Sequence, residues 1–139
     1  MILLDTSICV ELLRGTSPEA SRRLLATDPD EVRIPAVAAA ELLFGARRGG
    51  SAKALEATRG LIDGIGIVPF DASAAERYGA VRRTLQQSGT PIGPNDLLIA
   101  ATALALGATL ATANTGEFGR VPGLAVENWR DNPNTLDVA

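Results

Sequence analysis

Met1-Ile2-Leu3-Leu4-Asp5-Thr6-Ser7 opens the chain as an apolar run that stops at a carboxylate followed by two hydroxyls. A run without polar alternation reads as a strand buried on both faces of a parallel sheet. In open α/β sheets, ligands bind in the crevice beyond the carboxyl ends of the strands. Asp5 is therefore expected at such a crevice, with Thr6 or Ser7 available to cap the helix that follows. The competing reading makes Asp5 that helix's cap and nothing more.

Outward from this strand, helices and strands alternate. A short helix over 8–13 ends near Gly15. Ser17 and Pro18 then have the order of an N-cap and a first helical residue, opening a helix to about Ala26. After a turn at Asp28-Pro29-Asp30, a second strand is expected over 32–34, closed by Pro35. Helices follow over 36–47 and 51–61, separated by Gly49-Gly50, and then a third strand over 65–68. Asp71 caps a long helix to about Gln87, and a Gly/Pro loop over 88–94 precedes an apolar helix over 95–106 that ends at Gly107. A fourth strand is read over 109–111 and a fifth over 125–127. Alternation of this kind implies an α/β fold, a parallel sheet with helices on both faces. Residues 1–130 are expected to form one domain and residues 131–139 a loosely ordered tail.

Thirteen basic and sixteen acidic residues give a formal charge of −3, which argues against a simple basic clamp on nucleic acid. Carboxylates consumed by a metal site are compatible with a phosphate partner. The one cysteine, Cys9, excludes an internal disulfide, fits a reducing cytosol and reads as a small core residue. No leader-like or membrane-spanning stretch is apparent, because the Ala- and Thr-rich run over 97–113 is broken by Gly107.

Three acids stand where the strands of such a sheet would end. Asp5 ends the first. Glu41 lies in an otherwise apolar helix, either on its exposed stripe or pointing into a site. Asp96 opens the most apolar helix, where Asn95 is available to do the capping. Thr112, Ala113 and Asn114 add further groups after the fourth strand. Two carboxylates ~4 Å apart repel by roughly 4 kcal/mol at an effective dielectric of about 20. Three therefore converge only with a proton or a cation among them. Oxygen-only ligands select hard cations such as Mg²⁺ or Mn²⁺, which hydrolyse phosphodiesters by activating water and stabilising the leaving oxygen.

Histidine is absent, so a histidine acid–base nuclease, a zinc–histidine hydrolase and a Ser-His-Asp triad are excluded. Neither GxxxxGK[ST] nor GxGxxG occurs. A phosphoaspartyl phosphatase of the haloacid dehalogenase kind requires a second aspartate where Ser7 stands. A response-regulator receiver requires a lysine after a late strand, and Lys53 is misplaced for it.

The chain resembles the PIN domain, specifically the VapC-type toxin ribonucleases of bacterial toxin–antitoxin pairs, over Met1 to about Arg130. Leu3-Leu4-Asp5-Thr6-Ser7 is similar to the opening motif, which usually has Asn where this chain has Ser7. Ala40-Glu41-Leu42-Leu43-Phe44-Gly45 resembles the second motif. Thr90-Pro91-Ile92-Gly93-Pro94-Asn95-Asp96-Leu97-Leu98-Ile99-Ala100 resembles the third, which is the most specific. Thr112-Ala113-Asn114-Thr115-Gly116-Glu117-Phe118, followed by Arg120-Val121-Pro122-Gly123-Leu124 and Glu127-Asn128-Trp129, resembles the ending. The resemblance implies a three-layer α/β/α fold with a small parallel sheet of four or five strands. It implies Mg²⁺- or Mn²⁺-dependent endonucleolytic cleavage of RNA in the cytoplasm. It also implies a homodimer, or a heterotetramer or larger assembly with a cognate antitoxin whose C-terminal segment enters the active-site groove. DNA would be met only through that antitoxin, and no membrane is involved.

Carried over, Asp5 and Asp96 bind the metal and Glu41 is the third acid, on the metal or its waters. Asn114 occupies the fourth acidic position and can ligate through its carbonyl oxygen without adding charge, and Glu117 is a nearby substitute. Thr6, Ser7 and Thr112 are supporting residues. The site would hold one metal firmly and a second only with substrate. The alternative is a non-catalytic PIN module that binds RNA or a protein; retention of Asp5, Glu41 and Asp96 favours the enzyme. The pairs Arg22-Arg23, Arg47-Arg48 and Arg82-Arg83 are either solvated helix faces or contacts to phosphates and carboxylates, and Trp129 is expected to pack.

Overall fold

The computed structural model describes residues 1–130. Its strands are β1 (Ile2–Leu4), β2 (Val32–Pro35), β3 (Ile67–Val68), β4 (Thr109–Thr112) and β5 (Val126–Asn128). All pair in parallel, in the order β3-β2-β1-β4-β5. Helices α1 (Thr6–Arg14), α2 (Pro18–Ala26), α3 (Ala36–Arg48), α4 (Ala52–Ile65), α5 (Ala72–Gln87) and α6 (Pro94–Leu106), with the single turn α7 (Thr115–Phe118), cover the sheet on both sides. This is the expected three-layer α/β/α fold, with five strands. The expected tail, residues 131–139, lies outside the described residues.

The opening run takes the central place because its leucines must be covered from both faces. Leu3 and Leu4 are both fully buried, and burial of each is worth about 2–3 kcal/mol. Leu4 pairs with Ala111, and the Asp5 amide donates to the Ala111 carbonyl at 3.1 Å. This register sets Asp5 beside Thr112, where β1 and β4 end together. Helix α6 packs against α5 and the sheet, and its Ile99, Ala100, Ala101 and Ala103 are all fully buried. It ends at Gly107, whose φ of 62° is left-handed. Trp129 is buried in the core and its indole N–H donates to Glu127 Oε2 at 3.0 Å, so it anchors the end of β5 by packing. Cys9 is also buried, and burial pushes its thiol pKa up. Arg22 and Arg23 are held by Glu19 on their own helix. Among the described residues, no helix is long and apolar enough to cross a membrane.

Several boundaries differ from the sequence reading. Helix α1 starts at Thr6, because Asp5 caps it. Helix α4 continues to Ile65 through Gly60 and Gly64, and β3 shrinks to two residues. Glycine's low helix propensity is overridden here by the packing of Ile62, which is buried. Helix α6 begins at Pro94, with Gly93 as N-cap and no side-chain cap, so Asn95 is helical and does not cap. Pro94 is pre-set for a first helical position and needs no donor there.

Candidate active site

Every acid of interest comes from the carboxyl edge of the sheet. Asp5 is the N-cap of α1, and its Oδ1 accepts the Ile8 amide at 3.0 Å and the Ser7 hydroxyl at 2.6 Å. Its Oδ2 accepts from Thr112 Oγ1. The expectation that Thr6 or Ser7 caps α1 is corrected: both lie inside the helix, and neither hydroxyl serves as the cap. The cap and site readings of Asp5 prove compatible, since one oxygen holds the helix and the other faces β4. Burial lifts the Asp5 pKa above its ordinary value, opposed by the Ser7 and Thr112 hydroxyls and the Ile8 and Ser7 amides.

Glu41 is half-buried on α3 and points toward Asp5's neighbours. Thr6 Oγ1 donates to its Oε1 at 2.7 Å and Asn95 Nδ2 to its Oε2 at 3.4 Å. It is thus gripped by α1 and α6 and does not stand on a free, solvated stripe of α3. Asp96 lies in the first turn of α6. Its pKa is pushed up to about 6, first by burial, then by the charge of Glu117 and a hydrogen bond with it, and then by the charges of Glu41 and Asp5. Four carboxylates therefore act on one crevice.

Glu117, on α7, is tied in from two sides. Its Oε1 accepts the Gly93 amide at 2.6 Å and its Oε2 accepts Asn114 Nδ2 at 3.0 Å. The Gly93 amide is the main cause that holds the Glu117 carboxyl below its ordinary range. Gly93 lies close against both acids: a Cβ there would sit in van der Waals contact with Glu117 Oε1 at 3.4 Å and Asp96 Oδ2 at 3.7 Å. Asn114 is exposed at the rim, with its amide turned to Glu117. Its backbone N–H is received by Thr112 Oγ1 at 2.8 Å. Asn95 and Gly93 were not singled out as site residues from sequence. The motif around Asp96 contained both, but only the meeting of α6 with α3 and α7 gives them partners.

Among the described residues, no three Asp, Glu or Cys side chains form a ready-made metal cage. The acids line a crevice instead, and its donors are oxygens only. Asp96 carries charge repulsion from Glu117, Glu41 and Asp5 in addition to its burial. This set fits a hard cation that keeps several of its waters and takes one or two carboxylates directly. A groove of about 650 Å³ opens beside the acids at Thr6, Glu41 and Asn95. It runs between α1, α3 and α4 past Val10, Leu13, Phe44 and Ala57, with Arg14 and Arg48 on its walls. The Arg48 guanidinium lies 5.6 Å from the Phe44 ring centre.

Comparison with known proteins agrees with this geometry. The PIN domain family model matches residues 2–124. A tRNA(fMet)-specific endonuclease VapC of Shigella flexneri is 34% identical over 128 residues, covering 91% of this chain and 96% of the relative. Ribonuclease VapC2 of Rickettsia felis is 36% identical over 132 residues, again covering 91% and 96%. Among solved structures, VapBC2 of Rickettsia felis bound to a promoter DNA fragment superposes with a TM-score of 0.84 at 34% identity, over 93% of this chain and 99% of that one. DNA-bound VapBC of Salmonella typhimurium gives 0.85 at 30% identity, over 92% and 97%. With its five-stranded parallel sheet, its acids at the carboxyl edge and these matches over nearly its whole length, the chain belongs to the PIN-domain family, among the VapC-type toxin ribonucleases.

Proposed function

We propose that this chain is a divalent-cation-dependent endoribonuclease and the toxin of a toxin–antitoxin pair. The observation that carries this reading is the convergence of Asp5, Glu41, Asp96 and Glu117 on one crevice, where burial first, and then the charges of Glu117, Glu41 and Asp5, raise the Asp96 pKa to about 6. Asp5, through Oδ2, and Asp96 would hold Mg²⁺ or Mn²⁺, with Glu41 on the ion or its waters. Glu117 supplies the fourth acid, and Asn114 positions it from the rim. A bound cation supplies the chemistry of activating water and stabilising the leaving oxygen.

The remaining work belongs to the chain's own side chains. Thr6 and Asn95 orient Glu41, and the Gly93 amide and Asn114 orient Glu117. The groove between α1, α3 and α4 would receive the antitoxin's C-terminal segment, with Val10, Leu13 and Phe44 suited to apolar side chains and Arg14 and Arg48 to carboxylates. Relatives seen in VapBC complexes support such a partner. The same reading includes a homodimer, assembly with the antitoxin, DNA contact only through the antitoxin and a cytoplasmic setting. The direct test is cleavage of total RNA with Mg²⁺, with EDTA and Asp96→Asn as controls. Cleavage that survives both controls would overturn the reading.

A further inference from the structure

We propose that Ser7 is a positioning residue of the cation site. Its hydroxyl, paired with that of Thr112, locks Asp5 so that a divalent ion approaches through Oδ2, and it ties that carboxylate to the segment carrying Asn114 and Glu117. The inference rests on the reading of the acidic crevice as a cation site.

The directions of the hydrogen bonds carry the argument. A hydroxyl has one proton to donate and two lone pairs. Ser7 Oγ receives the Ala113 amide at 3.1 Å and lies 2.6 Å from Asp5 Oδ1. A backbone amide can only donate, so Ser7 spends a lone pair on Ala113 and its proton turns to Asp5. Thr112 repeats the logic: its Oγ1 receives the Asn114 amide at 2.8 Å and donates to Asp5 Oδ2. Two consecutive amides after β4 thus aim two hydroxyl protons at one carboxylate. Oδ1 also accepts the Ile8 amide at 3.0 Å, and the Ser7 amide acts on the same carboxylate. Oδ2, which faces β4 and meets the Thr112 hydroxyl, is the oxygen we assign to a further ligand. Asp5 is only 4% exposed, so bulk water does not compete to turn it.

Position 7 must therefore offer a donor toward Asp5 and an acceptor toward Ala113. An asparagine amide offers both, one atom further out. The serine hydroxyl does both jobs with a single atom. Alanine does neither, and it leaves the Ala113 amide and one Asp5 oxygen short of a partner.

The test is calorimetric titration of Mn²⁺ into the full chain, with metal-free melting curves alongside. The proteins are wild type, Ser7→Ala, Ser7→Asn, Ser7→Cys and Asp5→Asn. Residues that orient a metal ligand typically affect affinity by ~10–100-fold, and Ser7→Ala is expected to weaken Mn²⁺ within that range while still melting cooperatively. Ser7→Asn should bind close to wild type. Ser7→Cys keeps a weak donor and the side-chain volume, falls between the two, and carries the comparison if Ser7→Ala does not fold. Unchanged Mn²⁺ affinity in a folded Ser7→Ala or Ser7→Cys, with or without a lower Tm, overturns the proposal, as does a Ser7→Asn as weak as Ser7→Ala. If wild type binds Mn²⁺ and Asp5→Asn does not, such a result sinks the clamp alone. A wild type that binds no Mn²⁺ sinks the cation-site reading with it.

Discussion

Asp96→Asn is the most informative single change, because it separates charge from shape. Asparagine keeps the volume and can still donate to Glu117, as protonated Asp96 does, but it cannot ionise. The Asp96 pKa is about 6 in the folded protein against an ordinary 3.8. A raised carboxyl pKa gives stability that is present in full below the unfolded value and lost as pH rises through the folded one. Metal-free wild type should therefore weaken between about pH 4 and just above pH 6. The full interval is worth about 3 kcal/mol. Asp96 is partly exposed, so solvent screening trims this to about 1–2 kcal/mol. For a domain of this size that corresponds to roughly 3–10 °C in Tm.

The assay is thermal melting with EDTA across the acidic-to-neutral range, repeated with Mg²⁺. Asp96→Asn should melt higher than wild type near neutrality, and the difference should close toward pH 4. Mg²⁺ binds only the folded state and should raise the wild-type Tm, by about 2.7 kcal/mol of stabilisation at a hundredfold excess over Kd. The asparagine variant should respond less. A metal-free variant that melts below wild type at neutral pH would refute the reasoning, since Asp96 would then be acting as a structural acceptor.

Asp5→Asn should behave in the opposite way without metal: its amide would face the Thr112 hydroxyl proton, and loss of about 1–2 kcal/mol is expected in a melting experiment. Both Asp5→Asn and Asp96→Asn should abolish Mg²⁺-dependent RNA cleavage in a gel assay while remaining folded. Asn114→Asp adds charge beside Glu117 and should lower metal-free Tm while tightening Mn²⁺. Glu117→Gln should weaken Mn²⁺ much more in wild type than in Asn114→Asp, and strict additivity in a double-mutant titration would remove Glu117 from the site. Leu110→Ala, at a fully buried position of β4, should cost about 2–5 kcal/mol by denaturant melting.

The sequence alone determined the order of the elements and the sign of the site. The apolar run at 2–4 is too short for a helix before Asp5 and reads as a strand covered on both faces. Cap chemistry fixes helix starts at Ser17 and Asp71, both seen in place. The absence of histidine restricts the chemistry to oxygen ligands. These are local properties, readable from neighbours along the chain. The tertiary structure decided what depends on distant partners. It turned Glu41 inward through Thr6 and Asn95, residues 35 and 54 positions away. It brought Glu117 to Asp96 through the Gly93 amide, a contact that no spacing rule contains. It also assigned the α1 cap to Asp5 and left Asn95 without that role, since the strand register holds Asp5 beside Thr112 and Pro94 starts α6 one residue early. Strand β3 and the end of α4 were misplaced because the helix runs on through Gly60 and Gly64 and stops only at Gly66, whose φ of 95° ends it.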